Sequence, residues 1–139
     1  MKKILLLLIT ITFLTGCRSD DDNGNTSKEF FHPPSWIQGK WGVDGMALHR
    51  FTNDDFLLVL SNTETSFKGL LQQNANMGMV ASVDETINDS NYNFIIKYGG
   101  GGTPTQQTEY KFKKISSTKI EWVNSPYAGT MSYYLTKMN

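Results

Sequence analysis

Every second residue from Tyr92 to Tyr98 is aromatic or aliphatic, and the same alternation recurs at 109–113, at 119–122 and at 130–136. A repeat of two places successive side chains on opposite faces of an extended strand. Half-buried antiparallel strands show this pattern, with one face toward the core and the other toward water. The chain is therefore predicted to consist mainly of antiparallel β-strands.

Turn-forming residues separate these stretches, as in Asn88–Asn91 and in the glycine-rich Gly99–Pro104. Four further strands are predicted, three upstream and one directly ahead of Tyr92: 40–43, 47–51, 56–60 and 79–85. About eight strands of this kind favour a small antiparallel up-and-down β-barrel, closed so that no strand edge is left open.

One stretch departs from the alternation. Ser61 and Glu64 have the spacing of a helical capping box, and the apolar residues that follow from Phe67 recur at helical spacing. Gly78 is able to end a helix. The sequence therefore predicts one helix, inserted in the barrel near 62–74.

The chain begins with a basic and then an apolar segment. Lys2 and Lys3 precede an almost wholly apolar run from Ile4 to Phe13. Secretory signal peptides have this order of a charged and an apolar region. The run is too short to cross a bilayer, because a transmembrane helix needs about 20 apolar residues. Residues 1–16 are predicted to be a signal peptide.

The apolar run leads into Leu14-Thr15-Gly16-Cys17, an aliphatic residue, two small residues and a cysteine. This order is similar to the lipobox of bacterial lipoproteins, in which the cysteine thiol is lipidated before the signal peptide is removed. The resemblance implies acyl chains such as palmitate on Cys17, attachment to a membrane through them, and a place in the cell envelope as an outer membrane lipoprotein. An ordinary signal peptide with an incidental cysteine is the alternative.

Residues 17–35 are predicted to be a lipidated, flexible tether, because their first dozen residues are too polar to bury a core. The acidic Ser19–Asp22 resembles the signal that sends many Bacteroidota lipoproteins to the cell surface; a plain solvated tether is an equal alternative. Phe30 and Phe31 either dock onto the domain or recognise a partner. Docking is favoured, because segments that precede prolines run extended. The folded domain is predicted to span 36–139.

Gly39 and Trp41 stand two residues apart on the first predicted strand. Gly-x-Trp at this place resembles the first sequence motif of the lipocalins, in which the tryptophan plugs the closed end of the barrel beneath a cation. The resemblance gives Trp41 the plug role and implies that Lys137 or Arg50 supplies the cation. Together with the lipobox and the alternation, the motif resembles the short lipocalin-like lipoproteins of Bacteroidota.

His49 is the only histidine of the predicted domain, and that domain has no cysteine. A Cys/His zinc site is therefore excluded, and a catalytic triad would depend on His49 alone. No metal site, no catalytic residue and no enzymatic activity are predicted.

His49 and Arg50 are neighbours on a predicted strand, so they are expected to face opposite sides. If Met46 and Leu48 face the core, Arg50 faces inward and His49 outward. A buried arginine is costly unless it is paired. Its partner would be Trp41, an acidic residue or the carboxylate of a ligand.

The charges of the predicted domain balance, with nine Lys and Arg against nine Asp and Glu, so no net field favours nucleic acid. A monomer without a cofactor is expected. The predicted function is binding of a small apolar ligand or a protein partner, with Arg50, Tyr92 and Tyr110 as candidate ligand-binding residues. Short strands with many inward aromatics predict a filled interior. The alternative is a surface-tethered peptidase inhibitor that acts through Phe30–Pro34 or Gly99–Pro104.

Overall fold

The computed structural model describes residues 28–61 and 63–139. These residues form nine strands and one α-helix. The elements are β1 Gly39–Val43, β2 Met46–Phe51, β3 Phe56–Leu60, β4 Thr63–Ser66, α1 Phe67–Asn76, β5 Val80–Ile87, β6 Asn91–Gly99, β7 Gln106–Lys114, β8 Lys119–Trp122 and β9 Tyr134–Met138. The predicted signal peptide, Cys17 and the tether up to residue 27 lie outside the described residues.

The strands pair antiparallel in the order β4-β3-β2-β1-β9-β8-β7-β6-β5. The first and last strands lie side by side, with Trp41 opposite Lys137. The sheet curls into a half-barrel. Helix α1 lies between β4 and β5 in the chain and packs against β3, β5 and β6. The prediction of a mainly β, antiparallel, lipocalin-like fold with one helix is confirmed, with nine strands in place of about eight. The expected closure is not: within the described residues, β4 and β5 are the two edges of the sheet and do not pair with each other.

The helix begins later than the predicted range of 62–74. Residues 63–66 form β4 and pair with β3, and α1 runs from Phe67 to Asn76. Ser66 is the N-cap, and its hydroxyl accepts a hydrogen bond from the Gly69 amide at 2.8 Å. The capping-box interpretation of Ser61 was wrong, because pairing with β3 satisfies this backbone in an extended form that a helix would exclude.

Aromatic side chains fill the inner face of the sheet. The Phe56 ring centroid lies 5.0 Å from that of Phe94, 5.1 Å from that of Phe51 and 5.5 Å from that of Phe67. Aromatic pairs at such distances add about 0.5–1.5 kcal/mol each to the free energy gained by burial. The interior is therefore packed with side chains over most of its length.

The core includes side chains that precede the predicted domain. Phe30 and Phe31 are both buried, and the Phe31 ring meets Phe94 edge-on at 5.7 Å. Of the two interpretations of these aromatics, the structure shows docking onto the domain. The packed part of the chain therefore begins before Trp36, because the core includes two rings that lie ahead of the predicted boundary at 36.

Residues 123–133 form a connection, although the alternation at 130–136 predicted a strand there. Three successive turns, closed by backbone hydrogen bonds of 2.9 to 3.2 Å, run from residue 122 to residue 131. Met131 is 78% exposed, and strand β9 begins only at Tyr134. The strand prediction was wrong for the first part of this range, because a proline and a glycine within 123–133 favour turns.

The antiparallel order gathers the connections at two ends of the sheet. We call one the lower end; it carries connections 52–55, 88–90 and 115–118. We call the other the upper end; it carries connections 44–45, 77–79, 100–105 and 123–133, and the one that follows Leu60.

Candidate functional site

Trp41 is fully buried and lies beneath a cation. Its indole Nε1 donates a hydrogen bond to the Ile37 carbonyl oxygen at 2.5 Å, and Lys137 Nζ lies 5.5 Å from the centroid of its ring. Gly39 leaves room for this lysine, since a Cβ there would lie 2.8 Å from Lys137 Cε. The structure thus brings Gly39, Trp41 and Lys137 together, with the lysine over the indole ring.

Arg50 lies on the outer face, so the expectation that it faces inward was wrong. Its Nη1 donates to Glu64 Oε2 at 2.7 Å, and Lys40 Nζ lies 2.9 Å from Glu64 Oε1. The two cations hold the pKa of Glu64 below its usual range, chiefly through their hydrogen bonds. Arg50 therefore serves neither as the cation over Trp41 nor as an internal partner for a ligand carboxylate.

A β-bulge explains why the faces were predicted the wrong way round. Trp41 stands opposite His49, but Gly42 stands opposite Ala47, so Leu48 has no partner on β1. The extra residue resets the alternation of the strand. A Cβ on Gly42 would lie 2.0 Å from the Met46 carbonyl oxygen, so the close approach of the strands requires glycine. Gly42 is therefore the feature of the sequence that indicates the bulge.

His49 lies in the core, where only 2% of its surface is exposed. Its ring centroid is 4.6 Å from that of Trp122, 5.3 Å from that of Phe56 and 5.6 Å from that of Phe112. Neither ring nitrogen has a hydrogen-bond partner within residues 28–61 and 63–139. Burial lowers the pKa of His49 to about 4, so the imidazole is neutral at pH 7.

Trp122 is the second polar side chain without a partner in this part of the core. Its indole Nε1 is buried and donates to no acceptor among the described residues. Indole N–H groups usually find a partner when they are buried. Three unpaired nitrogens, two of them on His49, therefore belong to rings in edge-on contact.

A cavity of about 210 Å³ lies beside these two rings. The side chains that line it besides His49 and Trp122 carry no formal charge: Leu48, Leu58, Val59, Leu60, Tyr110 and Tyr127. Leu60 and Tyr127 are both largely exposed and form its rim. The cavity is therefore a small aromatic and aliphatic site with two polar rings in its wall, and we take it as the candidate ligand site.

A larger depression of about 580 Å³ lies on the outer face, lined by Lys40, Asp44 and Glu64 among others. Lys40 and Glu64 already pair with each other, and Glu64 also pairs with Arg50. Because Lys40, Arg50 and Glu64 pair with one another in partly exposed positions, they give no reason to place a charged ligand in this depression.

The three ligand-binding candidates from the sequence lie in different places. Tyr110 lines the cavity, and its burial raises the pKa of its phenol. Arg50 is on the outer face. Tyr92 is fully buried, and its hydroxyl donates to Glu85 Oε1 at 2.5 Å, while His32 Nδ1 lies 2.8 Å from Glu85 Oε2. Tyr92 therefore helps to hold the N-terminal segment on the sheet.

Two segments were candidates for contact with a peptidase. Phe30 and Phe31 are buried, so Phe30–Pro34 offers a partner no exposed aromatic ring. Gly99–Pro104 lies at the upper end, where Gly101, Gly102 and Thr103 are exposed. An inhibitory contact would therefore depend on the glycine-rich loop.

His49, Trp122 and Tyr127 were not among the candidate site residues. The alternation placed Trp122 on an inward face. His49 faces inward only because of the bulge, and Tyr127 reaches the cavity only through the turns of 123–133, so neither position follows from the alternation. Within residues 28–61 and 63–139, no three His, Cys, Asp or Glu side chains are placed to share a metal ion. No helix in the same residues has the length and hydropathy to span a membrane.

Comparison of the chain with protein-family models, with curated proteins and with solved structures found no match.

Proposed function

We propose that this chain is a cell-envelope lipoprotein, anchored through Cys17, whose lipocalin-like domain binds a small apolar ligand between His49 and Trp122. The anchor is supported by the order of basic, apolar and lipobox residues at the N-terminus. The ligand site is supported by one observation above all. Three buried nitrogens that have no hydrogen-bond partner in the described part of the chain belong to two rings that line one cavity.

The energetic argument starts from the cost of those nitrogens. A buried polar group left without a partner costs about 1–3 kcal/mol. Most such groups in folded proteins are satisfied, so each exception calls for an explanation. A phenylalanine at 49 or 122 would avoid the cost in an otherwise aromatic environment. A ligand that donates to an imidazole nitrogen and accepts from the Trp122 N–H would satisfy both side chains. Because the three nitrogens are closed to solvent, the two rings must turn to bring them to the cavity.

The chemistry of the wall favours a neutral hydroxyl on that ligand. A hydroxyl both donates and accepts, as the neutral imidazole of His49 and the indole N–H of Trp122 require. No lysine or arginine lines the cavity, so a carboxylate would lose its hydration without gaining a cation. Sites for drug-sized ligands occupy roughly 300–1,000 Å³. At about 210 Å³, this cavity fits a smaller phenol or alcohol.

Calorimetry with 4-ethylphenol and ethylbenzene tests the proposal. A chain that begins at Arg18 keeps all described residues and lacks the lipid. We expect 4-ethylphenol to bind and ethylbenzene to bind about tenfold more weakly, which corresponds to a net contribution of about 1.4 kcal/mol from the two hydrogen bonds of the hydroxyl. His49→Phe and Trp122→Phe should each remove the preference for the phenol.

Arg50→Gln is the matched control, because Arg50 lies on the outer face and its loss should leave binding unchanged. Equal binding of the two compounds by the unmodified chain would contradict the hydroxyl site. Loss of the preference in the Arg50 variant would contradict its location.

A further inference from the structure

The large apolar side chains that the fold leaves exposed are concentrated at the upper end. Ten such residues are exposed in the part of the chain that the structure describes, and eight belong to this end. They are Met46, Leu60, Met77, Met79, Val123, Tyr127, Met131 and Tyr134. The other two, Ile87 and Ile115, belong to the lower end. Large exposed apolar patches mark sites of contact with proteins or membranes.

The chain also reaches the folded domain at the upper end. Lys28 Nζ donates to the carbonyl oxygen of Ala81, at the upper start of β5, at 3.3 Å. Farther along the segment, Trp36 Nε1 donates to the carbonyl oxygen of Asn88, just past the lower end of β5, at 3.3 Å. Residues 28–36 therefore run beside β5 from the upper to the lower end.

The described chain therefore begins at the end of the sheet that carries the apolar residues. Cys17 is eleven residues before Lys28, so even a fully extended chain would reach roughly 40 Å at about 3.6 Å per residue. The proposed anchor therefore keeps the start of the described chain within roughly 40 Å of the membrane that the lipid enters.

The connections at the upper end are almost free of charge. In the described residues of 44–45, 77–79, 100–105 and 123–133, Asp44 is the one ionised side chain. Tyrosine and methionine are well suited to a membrane interface, since a tyrosine ring keeps its hydroxyl in the headgroup region while its body enters the apolar layer. An uncharged apolar surface does not need anionic lipids for its attraction.

From these three observations we infer that the upper end docks on the bilayer surface, with Leu60, Tyr127 and Met131 in the interfacial layer. The inference rests on the proposed lipid anchor, which supplies proximity, whereas the apolar side chains supply orientation. Leu60 and Tyr127 also line the candidate ligand cavity. In this orientation the cavity faces the membrane, and an apolar ligand passes between bilayer and protein without crossing water.

A polarity-sensitive dye on a single introduced cysteine tests the orientation. Lipidation occupies Cys17, the only native cysteine, so Met131→Cys provides one reactive thiol at the upper end. Ile115→Cys is the matched control, because both side chains are exposed and Ile115 lies at the lower end. The full-length lipidated protein is reconstituted in phosphatidylcholine vesicles. It is compared with the same domain in detergent-free buffer, after a protease has cut the tether and released the domain from the lipid.

We expect the dye at 131 to gain emission several-fold on vesicles and to shift to the blue, while the dye at 115 does not change. Vesicles with added phosphatidylglycerol should give the same result within a factor of two. A protein that floats with vesicles while both dyes remain in water overturns the docking and leaves the anchor intact. A protein that does not float overturns the anchor and the docking with it. Calorimetry with 4-ethylphenol reports on the ligand site separately.

Discussion

Four aromatic rings surround His49, and the absence of any hydrogen-bond partner makes its protonation costly in the folded state. Its pKa falls from 6.5 to about 4 on folding. The unfolded chain therefore takes up a proton between these values while the folded chain does not. Stability that is fully present above pH 6.5 is lost as the pH falls toward 4.

We expect the free energy of unfolding to fall by about 2 kcal/mol between pH 7 and pH 5 from this one residue, at about 1.4 kcal/mol per pH unit. His49→Phe should remove most of that loss. Urea titrations at the two pH values measure it. His32 provides the control, because its pKa is raised, chiefly by its hydrogen bond to Glu85, so its contribution grows toward acid pH. An unchanged acid dependence in the His49 variant would contradict the buried neutral imidazole.

Trp41 carries the structural part of the lipocalin resemblance. Trp41→Ala should lower the free energy of unfolding by about 3–5 kcal/mol, because the indole is fully buried and leaves a cavity. Lys40→Ala removes only a partly exposed ion pair with Glu64, and its cost should be below about 1 kcal/mol. Trp36, which is partly buried, should fall between them. Urea titrations measure these losses of free energy of unfolding. Equal and small losses for the Trp36 and Trp41 variants would contradict the plug role of Trp41.

At the scale of elements, the N-terminal segment offers the sharpest test. A chain that begins at Trp36 loses the buried rings of Phe30 and Phe31, worth about 1.5–3 kcal/mol each. It should therefore be less stable than a chain that begins at Lys28 by about 3–6 kcal/mol. Thermal unfolding of the two chains, followed by circular dichroism, measures the difference. Equal stabilities would mean that the segment only rests on a core that is already complete.

Most strands were predictable because each has one face in the core and one in water, and this difference leaves a repeat of two in the sequence. Strand β6 shows it over most of its length and β7 in its second half, with Tyr92, Phe94, Tyr110 and Phe112 all buried. The start of the helix was not predictable in the same way. Pairing of 63–66 with β3 is a contact between segments, and no local signal outweighed the serine and glutamate spacing.

The candidate site was harder to predict than the fold. One unpaired residue in β2, Leu48, turns His49 inward and Arg50 outward. A single bulge therefore reverses the faces that the sequence predicted for these two side chains. Tyr110 lies at the cavity because strand β7 follows the simple alternation. Trp41 and Lys137 could be paired only through the family resemblance, since 96 residues separate them in the chain and they meet through the pairing of β1 with β9.

For the whole molecule, the two ends of the barrel have different compositions that match different tasks. The cavity and the exposed Leu60 and Tyr127 lie toward the upper end, whereas Ile37, whose carbonyl accepts the Trp41 indole N–H, precedes the lower start of β1. If the N-terminal lipid holds the upper end at the membrane, as proposed, a ligand site at that end faces the bilayer. In the proposed arrangement, anchor, apolar rim and cavity serve one task, the exchange of a small apolar molecule with the membrane.

That arrangement depends on the lipid, and Cys17→Ser tests the lipid alone. The change removes the thiol on which the proposed lipidation depends but leaves the basic and apolar regions of the predicted signal peptide intact. We expect a precursor that keeps residues 1–16 and takes up radioactive palmitate only at background level, because the thiol is the acceptor and peptidase cleavage follows lipidation. Ser19→Ala, two residues farther on, should be processed and labelled normally. Normal labelling of the Cys17 variant would place the acyl chain elsewhere, and the membrane orientation would lose the tether on which it rests.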